Sequence, residues 1–132
     1  MSKKVIKIDD KDYEVACNAL TRFNYKKIFG VGLFSDIKLI NDFNIRQKEY
    51  KDKLMKDSSL TAEEIEEKVN NEFLGEMDAL IDVIERLAYI EVFTANPNFG
   101  TFEDFLGGIE NINLSADWIS EVTELAVDSF RG

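Results

Sequence analysis

The chain has 132 residues, of which 45% are hydrophobic and 32% are charged, and its net charge at pH 7 is −10. This length suits one domain, which we take as residues 1–132, and the composition is typical of a globular protein rather than a disordered one. The sequence has no His and a single Cys, Cys17. It therefore excludes a triad built on His, a Cys–His nucleophile pair, a structural zinc site and an intrachain disulfide.

The charge is unevenly distributed along the chain. Residues 1–56 hold 13 Lys and Arg against 8 Asp and Glu, a net of +5, whereas residues 57–132 hold 3 against 18, a net of −15. One interpretation is that both halves are ordinary solvated surfaces. The other is head-to-tail self-association into a homo-oligomer, for which Lys3, Lys4 and Lys7 are the candidate residues at the basic end.

The same charge argues against binding to nucleic acid, since phosphate contacts need clustered cations. Residues 1–15 contain no apolar segment of signal-peptide length. No stretch approaches the roughly 18 consecutive apolar residues of a membrane span. We therefore expect a cytoplasmic protein without a membrane partner.

The N-terminal residues predict a β-hairpin. Residues 3–8 alternate in character, with Val5 as the apolar residue and Ile6 and Ile8 as further candidates. Residues 9–12, DDKD, supply turn chemistry, and residues 13–16 resume the extended pattern.

Two helices are predicted next. The first covers about residues 18–29 and ends at Gly30 after two lysines, the usual cation-then-glycine ending. The second covers residues 33–55, with a strongly polar later part. The apolar residues that indicate them are Ala19, Leu20, Phe23, Tyr25 and Ile28 in the first and Phe34, Ile37, Ile40, Phe43 and Leu54 in the second.

A capping box at Thr61 and Glu64 predicts the start of a long helix, which Asn96-Pro97 ends. Its second half is apolar on several sides and is the candidate centre of the core. One apolar stripe marks the helix throughout: Ile65, Val69, Phe73, Met77, Ile81, Ile84 and Ala88.

Thr101 caps a short helix that ends near Gly107, and Ser115 caps a last helix over residues 116–130. The predicted fold class is mainly α (α+β): a short N-terminal β-hairpin followed by a bundle of about four to five helices.

We identify no catalytic, cofactor-binding or metal-binding residues, and we expect no enzyme activity and no cofactor. Asp82 and Glu85 lie in the most apolar helix and are candidates for a buried acid, although a solvent-facing position is favoured for both. Cys17 is better explained as a small core residue than as a nucleophile. A small enzyme that uses carboxylates or a metal is the disfavoured rival.

The aromatic residues near the end of the long helix have two interpretations. They either knit the last helices together, as aromatic residues in a small core usually do, or they line a groove for an apolar segment of a partner. The candidate partner-binding residues are Phe93, Phe99, Phe102 and Phe105.

Four segments carry a family resemblance: KVIKIDDKDYEVACNALTRFNYKKIFG, LFSDI, ALIDVIERLAYIEVFTANPNFGTFEDFLGGIENINL and ADWISEVTELAVDSF. The most telling features are the apolar helix that ends in Ala-Asn-Pro, the Phe-Glu-Asp-Phe-Leu segment and the helix that ends in Ala-Val-Asp-Ser-Phe. In these the chain resembles the tail assembly chaperones of siphophages and prophages of Gram-positive bacteria. The charged segment 46–57 is longer than in the shortest members of that family.

The resemblance implies a non-enzymatic protein, many copies of which coat the tape measure protein until tail-tube polymerisation displaces them. It implies a location in the host cytoplasm and absence from the mature virion. It also implies a longer frameshifted form whose extra domain recruits the tail-tube protein. The alternative function is that of a small acidic helical adaptor or regulatory protein without catalytic activity.

Overall fold

The computed structural model describes residues 3–114 and 116–130, and it confirms the mainly helical fold with an N-terminal hairpin. Strands β1 (Lys4–Ile8) and β2 (Lys11–Val15) precede the helices. The helices are α1 (Ala19–Phe29), α2 (Leu33–Met55), α3 (Ala62–Phe73), α4 (Met77–Ala95), α5 (Phe102–Gly107) and α6 (Asp117–Ser129).

The hairpin is antiparallel, with Lys4 opposite Val15 and Ile8 opposite Lys11. Its two-residue turn places Asp9 and Asp10 at φ 47° and 69°, the left-handed conformation that such a turn requires. Ile6 and Ile8 are buried while Val5 is exposed. Of the three candidates for the apolar face, Ile6 and Ile8 are therefore the right ones, and Val5 is wrong.

Helix α1 begins at a capping box, in which the Leu20 backbone N–H donates to the Asn18 side chain at 2.8 Å. It ends at Gly30, whose φ of 74° suits glycine and whose N–H donates to the Lys26 carbonyl at 2.9 Å. Its buried residues are Thr21 and Tyr25. The helix is where the sequence predicts it, but most of its apolar residues point outward.

Helix α4 is the centre of the core, as predicted. It packs against α1, α2, α6 and strand β2, so most of its faces are covered. Its buried side chains include Val83, Ile84, Leu87, Ala88 and Ile90.

The predicted single helix from Thr61 to Asn96 is interrupted. Helix α3 ends at Phe73, a 3-10 turn spans Leu74–Glu76, and α4 follows. Gly75 lies in this turn, where it weakens the helix by about 1 kcal/mol relative to alanine. Counting α3 and α4 as one element, five helices follow the hairpin among the described residues.

The predicted caps at Thr61 and Thr101 are present. The Thr61 hydroxyl accepts from the Glu64 N–H at 3.1 Å, and the Thr101 hydroxyl accepts from the Asp104 N–H at 3.1 Å. The predicted cap Ser115 lies outside the described residues. The last helix starts at Asp117, after Ala116.

Candidate interaction surface

The aromatic residues predicted to bind a partner belong largely to the core. Phe105 is fully buried, with its ring centroid 5.6 Å from that of Tyr13. The prediction that Phe105 lies on an exposed surface is therefore wrong. Phe93, Phe99 and Phe102 are partly buried and pack against the same core.

These aromatic side chains are covered because the chain folds back against α4 after that helix ends. The Tyr89 hydroxyl donates to the Gly100 carbonyl at 2.6 Å, which holds the loop before α5 against α4. The ring of Phe102 then packs edge-on against Phe29 at 5.0 Å between centroids. These aromatic contacts pack α1, α4 and α5 against one another. A role for Phe93, Phe99 and Phe102 in binding a partner stays a prediction.

The exposed apolar side chains lie elsewhere. Ten large ones are clearly exposed among residues 3–114 and 116–130, and seven of these fall between residues 20 and 45. We call these seven the α1–α2 surface: Leu20, Phe23, Ile28, Val31, Phe34, Leu39 and Ile45. Leu20, Phe23 and Phe34 are 61%, 62% and 49% exposed, so apolar area that a compact core would cover is left in contact with water.

A cavity of about 500 Å³ opens at the junction of α1 and α2, within this surface. Phe23 and Phe34 contribute apolar walls, and the buried Leu33 also lines it. The guanidinium of Arg22 lies 6.0 Å from the centroid of the Phe34 ring, and Phe34 packs edge-on against Phe130 at 5.3 Å. The cavity thus has aromatic walls that other side chains hold in position.

The rim of the cavity is cationic. Arg22, Lys26 and Lys27 line it, and no carboxylate does. In residues 19–45 there are four Lys and Arg against two Asp, so this stretch has a net charge of +2 in a chain whose net charge is −10. The α1–α2 surface therefore favours apolar partners that carry negative charge.

A buried polar network fixes α1 against α2 and α4 beneath this surface. Tyr25 donates a short hydrogen bond to Asp36, and the Arg86 Nε donates to the same carboxylate at 3.0 Å. Burial and the Asp36 carboxylate raise the pKa of the Tyr25 hydroxyl, so it remains a donor at neutral pH. The network therefore gives the α1–α2 surface a rigid support.

A second cleft, of about 430 Å³, lies between α2, α4 and α6. Its apolar floor includes Ile40, Phe43, Leu80 and Ile84, all of which are already buried. A larger share of its lining surface is polar than in the cavity at the junction of α1 and α2. This cleft is a weaker candidate site than the α1–α2 surface.

The hairpin lysines predicted to support self-association are all exposed. Lys3 forms an ion pair with Glu14, with Nζ and Oε2 3.6 Å apart. Lys4 lies on the same side of β1 as the buried Ile6 and Ile8, whereas Lys7 lies on the other side. Their role in self-association stays a prediction.

The buried acid in α4 is Glu91, which the sequence analysis did not identify. Asp82 is exposed and Glu85 is half-buried, with a pKa that is raised by burial and by the nearby Asp82. Glu91 is fully buried, and neither oxygen of its carboxyl group has a hydrogen-bond partner among residues 3–114 and 116–130. Burial holds the pKa of Glu91 well above its usual range, although the charge of Lys4 opposes this.

Cys17 is half-buried beside Glu91. Burial raises the pKa of the Cys17 thiol to about 12, and the nearby Glu91 carboxyl is the second, smaller cause of this increase. A thiol with so high a pKa is almost entirely protonated at neutral pH, and so it is a poor nucleophile.

In the described part of the chain, no three His, Cys, Asp or Glu side chains come together in a way that could hold a metal ion. No helix between residues 3 and 114 or between 116 and 130 is long and apolar enough to span a bilayer. Comparisons with protein-family models, with curated proteins and with solved structures find no match.

Proposed function

We propose that the protein is a phage tail assembly chaperone. It binds the tape measure protein in the host cytoplasm and covers apolar surface until tail-tube subunits polymerise around that protein and displace it. Two things support the proposal: the resemblance to this family in sequence, and the α1–α2 surface. The observation that carries it is that seven of the ten clearly exposed large apolar side chains, counted over the described residues, fall within one stretch of 26 residues.

The chemistry of this surface suits a helical partner. A helix that presents an apolar stripe contacts its receptor through side chains three and four residues apart, and large side chains supply most of the binding energy. Phe23 and Phe34 are exposed aromatic residues of the kind that anchor such contacts. Leu39 and Ile45 are further exposed apolar side chains of α2, about 120° apart around the helix.

The charge distribution suits a chaperone that must later release its partner. Exposed ionic contacts are weak and are screened by salt, so a surface that combines them with a few apolar anchors binds reversibly. A longer frameshifted form that shares this region would bring the tail-tube protein to the same complex.

Co-expression with the tape measure gene tests the proposal. The tape measure protein should be soluble with the wild-type protein and aggregate without it. The double variant Leu39→Ser/Ile45→Ser should lose this rescue while its circular dichroism and melting temperature stay unchanged. Met55→Ser is the matched control, because Met55 is apolar and more exposed than either residue but lies at the far end of α2.

If the wild-type protein does not solubilise the tape measure protein, the chaperone function is wrong. The α1–α2 surface would then belong to a helical adaptor or regulatory protein, the alternative function. If Leu39→Ser/Ile45→Ser and Met55→Ser rescue equally well, the chaperone function stands but the α1–α2 surface is not its binding site.

A further inference from the structure

The cavity at the junction of α1 and α2 has two unlike walls. Helix α1 contributes Arg22, Phe23, Lys26 and Lys27, so this wall is cationic, whereas residues 32–35 on the other side carry no charge. The volume of about 500 Å³ lies within the range of about 300–1,000 Å³ that is usual for ligand pockets. The cavity therefore has room for a large side chain of a partner together with polar groups beside it.

We infer that this cavity selects which segment of the tape measure protein is bound. The selected segment is helical and carries, on one face, a large apolar side chain and two carboxylates that are three or four residues apart. The apolar side chain enters between Phe23 and Phe34, and the carboxylates lie against Arg22 and Lys26. This inference rests on the proposed function and adds to it the chemistry of the bound segment.

The positive charge of the α1 wall is not neutralised within the described part of the chain. Asp36 is the only acid between residues 15 and 41, and it is buried, where its carboxylate lies 3.0 Å from the Arg86 guanidinium. Among the described residues, none of the three cations of the wall forms an ion pair. A carboxylate supplied by a partner is therefore attracted to this wall, and a cation is repelled by it.

Arg22 is already held in a position that suits such a contact. Its guanidinium lies 6.0 Å from the centroid of the Phe34 ring, which itself packs edge-on against Phe130 at 5.3 Å. A guanidinium presents paired N–H donors that match the two oxygens of a carboxylate. Because the Phe34 ring restrains the Arg22 side chain, less conformational entropy is lost when a carboxylate binds.

The spacing of the cations sets the spacing of the acids in the partner. Arg22 and Lys26 are four residues apart on α1, which is about 6 Å along the helix axis. Acids three or four residues apart on a partner helix lie on one face with nearly the same repeat, whereas acids two residues apart do not. The inferred segment therefore has a definite pattern rather than a high acidic content alone.

The same charges exclude other apolar helices. Apolar contact alone does not distinguish between amphipathic helices, since all of them present an apolar stripe. A segment whose apolar side chain is flanked by Lys or Arg brings like charge to the α1 wall, and this repulsion lowers its affinity. Charge thereby decides which parts of the tape measure protein are covered.

Charge reversal at the cavity tests the inference in the co-expression assay. Lys26→Glu/Lys27→Glu should lose the rescue of the tape measure protein while its circular dichroism stays unchanged. Lys51→Glu/Lys53→Glu is the matched control, because it changes the net charge equally at two exposed lysines near the far end of α2. This control should rescue as the wild type does.

The outcomes separate the inference from the proposed function. If the wild type and both lysine variants rescue equally well, the inference is wrong and the chaperone function stands. If the wild type does not rescue, the chaperone function is wrong and the inference falls with it.

Overlapping peptides of the tape measure protein test the pattern itself. Peptides of about 20 residues are suitable, because isolated helices shorter than about 12–15 residues are marginal in water. The peptides that bind the wild type most tightly should carry the apolar residue and the two spaced acids. Replacing these acids with Lys should weaken binding to the wild type by about tenfold and strengthen binding to Lys26→Glu/Lys27→Glu by a similar factor.

Recovered binding of the Lys-substituted peptide also shows that Lys26→Glu/Lys27→Glu is folded. The inference is overturned if the tightest peptides lack the acids, or if the acid-to-Lys exchange has the same effect on binding to both proteins. A complete peptide set of which no member binds would overturn it as well, because the inference requires that one segment is sufficient.

Discussion

Replacing Glu91 with methionine should stabilise the protein, which is an unusual result for a core substitution. The Glu91 carboxyl is fully buried in α4, and within the described part of the chain neither of its oxygens has a hydrogen-bond partner. A buried polar group without a partner costs about 1–3 kcal/mol. Methionine has a similar size and a flexible side chain that fills the same space without this cost.

The difference in the free energy of unfolding between Glu91→Met and the wild type should grow as pH rises. Because the pKa of Glu91 is raised by burial in the folded state, the folded protein holds the proton more tightly than the unfolded chain does. As pH rises above the unfolded pKa of about 4.3, the wild type therefore loses about 1.4 kcal/mol per pH unit until the pKa of the folded state is reached. Of the titratable groups that the structure describes, Lys4 and Cys17 act on this carboxyl, and Lys4 reduces the effect.

Urea unfolding of the wild type and of Glu91→Met between pH 4.5 and 8 measures this difference in the free energy of unfolding. At pH 4.5 the free energy of unfolding of Glu91→Met should exceed that of the wild type by about 1–3 kcal/mol. The difference should increase toward neutral pH. Glu66→Met, which changes an exposed Glu of α3, should lie within about 0.5 kcal/mol of the wild type. A destabilised Glu91→Met, or a difference that stays constant with pH, would refute the account of a buried, unpaired carboxyl.

Three further substitutions test the core and its polar network, with the free energy of unfolding as the readout. Leu87→Ala should cost about 2–5 kcal/mol, because Leu87 is fully buried at the centre of α4, and an unchanged value would place this face in an interface. Phe105→Ala should cost about 3–5 kcal/mol, and a protein of unchanged stability that loses partner binding would restore Phe105 as a binding residue. Asp36→Ala should cost about 3–5 kcal/mol, because it leaves the mostly buried Arg86 cation without its carboxylate, and a neutral result would show that the Arg86 side chain turns to solvent.

The positions of the helices could be read from local signals in the sequence. The Thr61 and Thr101 caps, the lysines before Gly30 and the Asn96-Pro97 stop act within a few residues, and the structure contains each element that they mark. The boundary between α3 and α4 was missed, because one Gly in a continuous apolar stripe is a weak signal for a break.

The proposed binding surface could not be predicted from the sequence, because it depends on which face of each helix the rest of the fold covers. In α1 the apolar residues recur at mixed spacings, so the periodicity indicated a helix without indicating its buried side. The structure buries Thr21 and Tyr25, where a hydroxyl and a phenol find partners in Thr94 and Asp36. This leaves Leu20 and Phe23 exposed.

Glu91, in contrast, had a usable signal. The run from Ala88 to Phe93 is apolar apart from this residue, and a helix covered on several sides has no solvent-facing stripe for a charged side chain. Asp82 and Glu85 lie in the same helix but occupy its less covered first half.

Methyl NMR of the protein mixed with a tape measure fragment shows whether the α1–α2 surface is the proposed binding site. Binding at this surface should shift or broaden the methyl signals of Ile28, Leu39 and Ile45, while those of Met55 and Val5 stay in place. Perturbations confined to Met55 and Val5, or to the aromatic region around Phe99, with Leu39 and Ile45 unchanged, would contradict it.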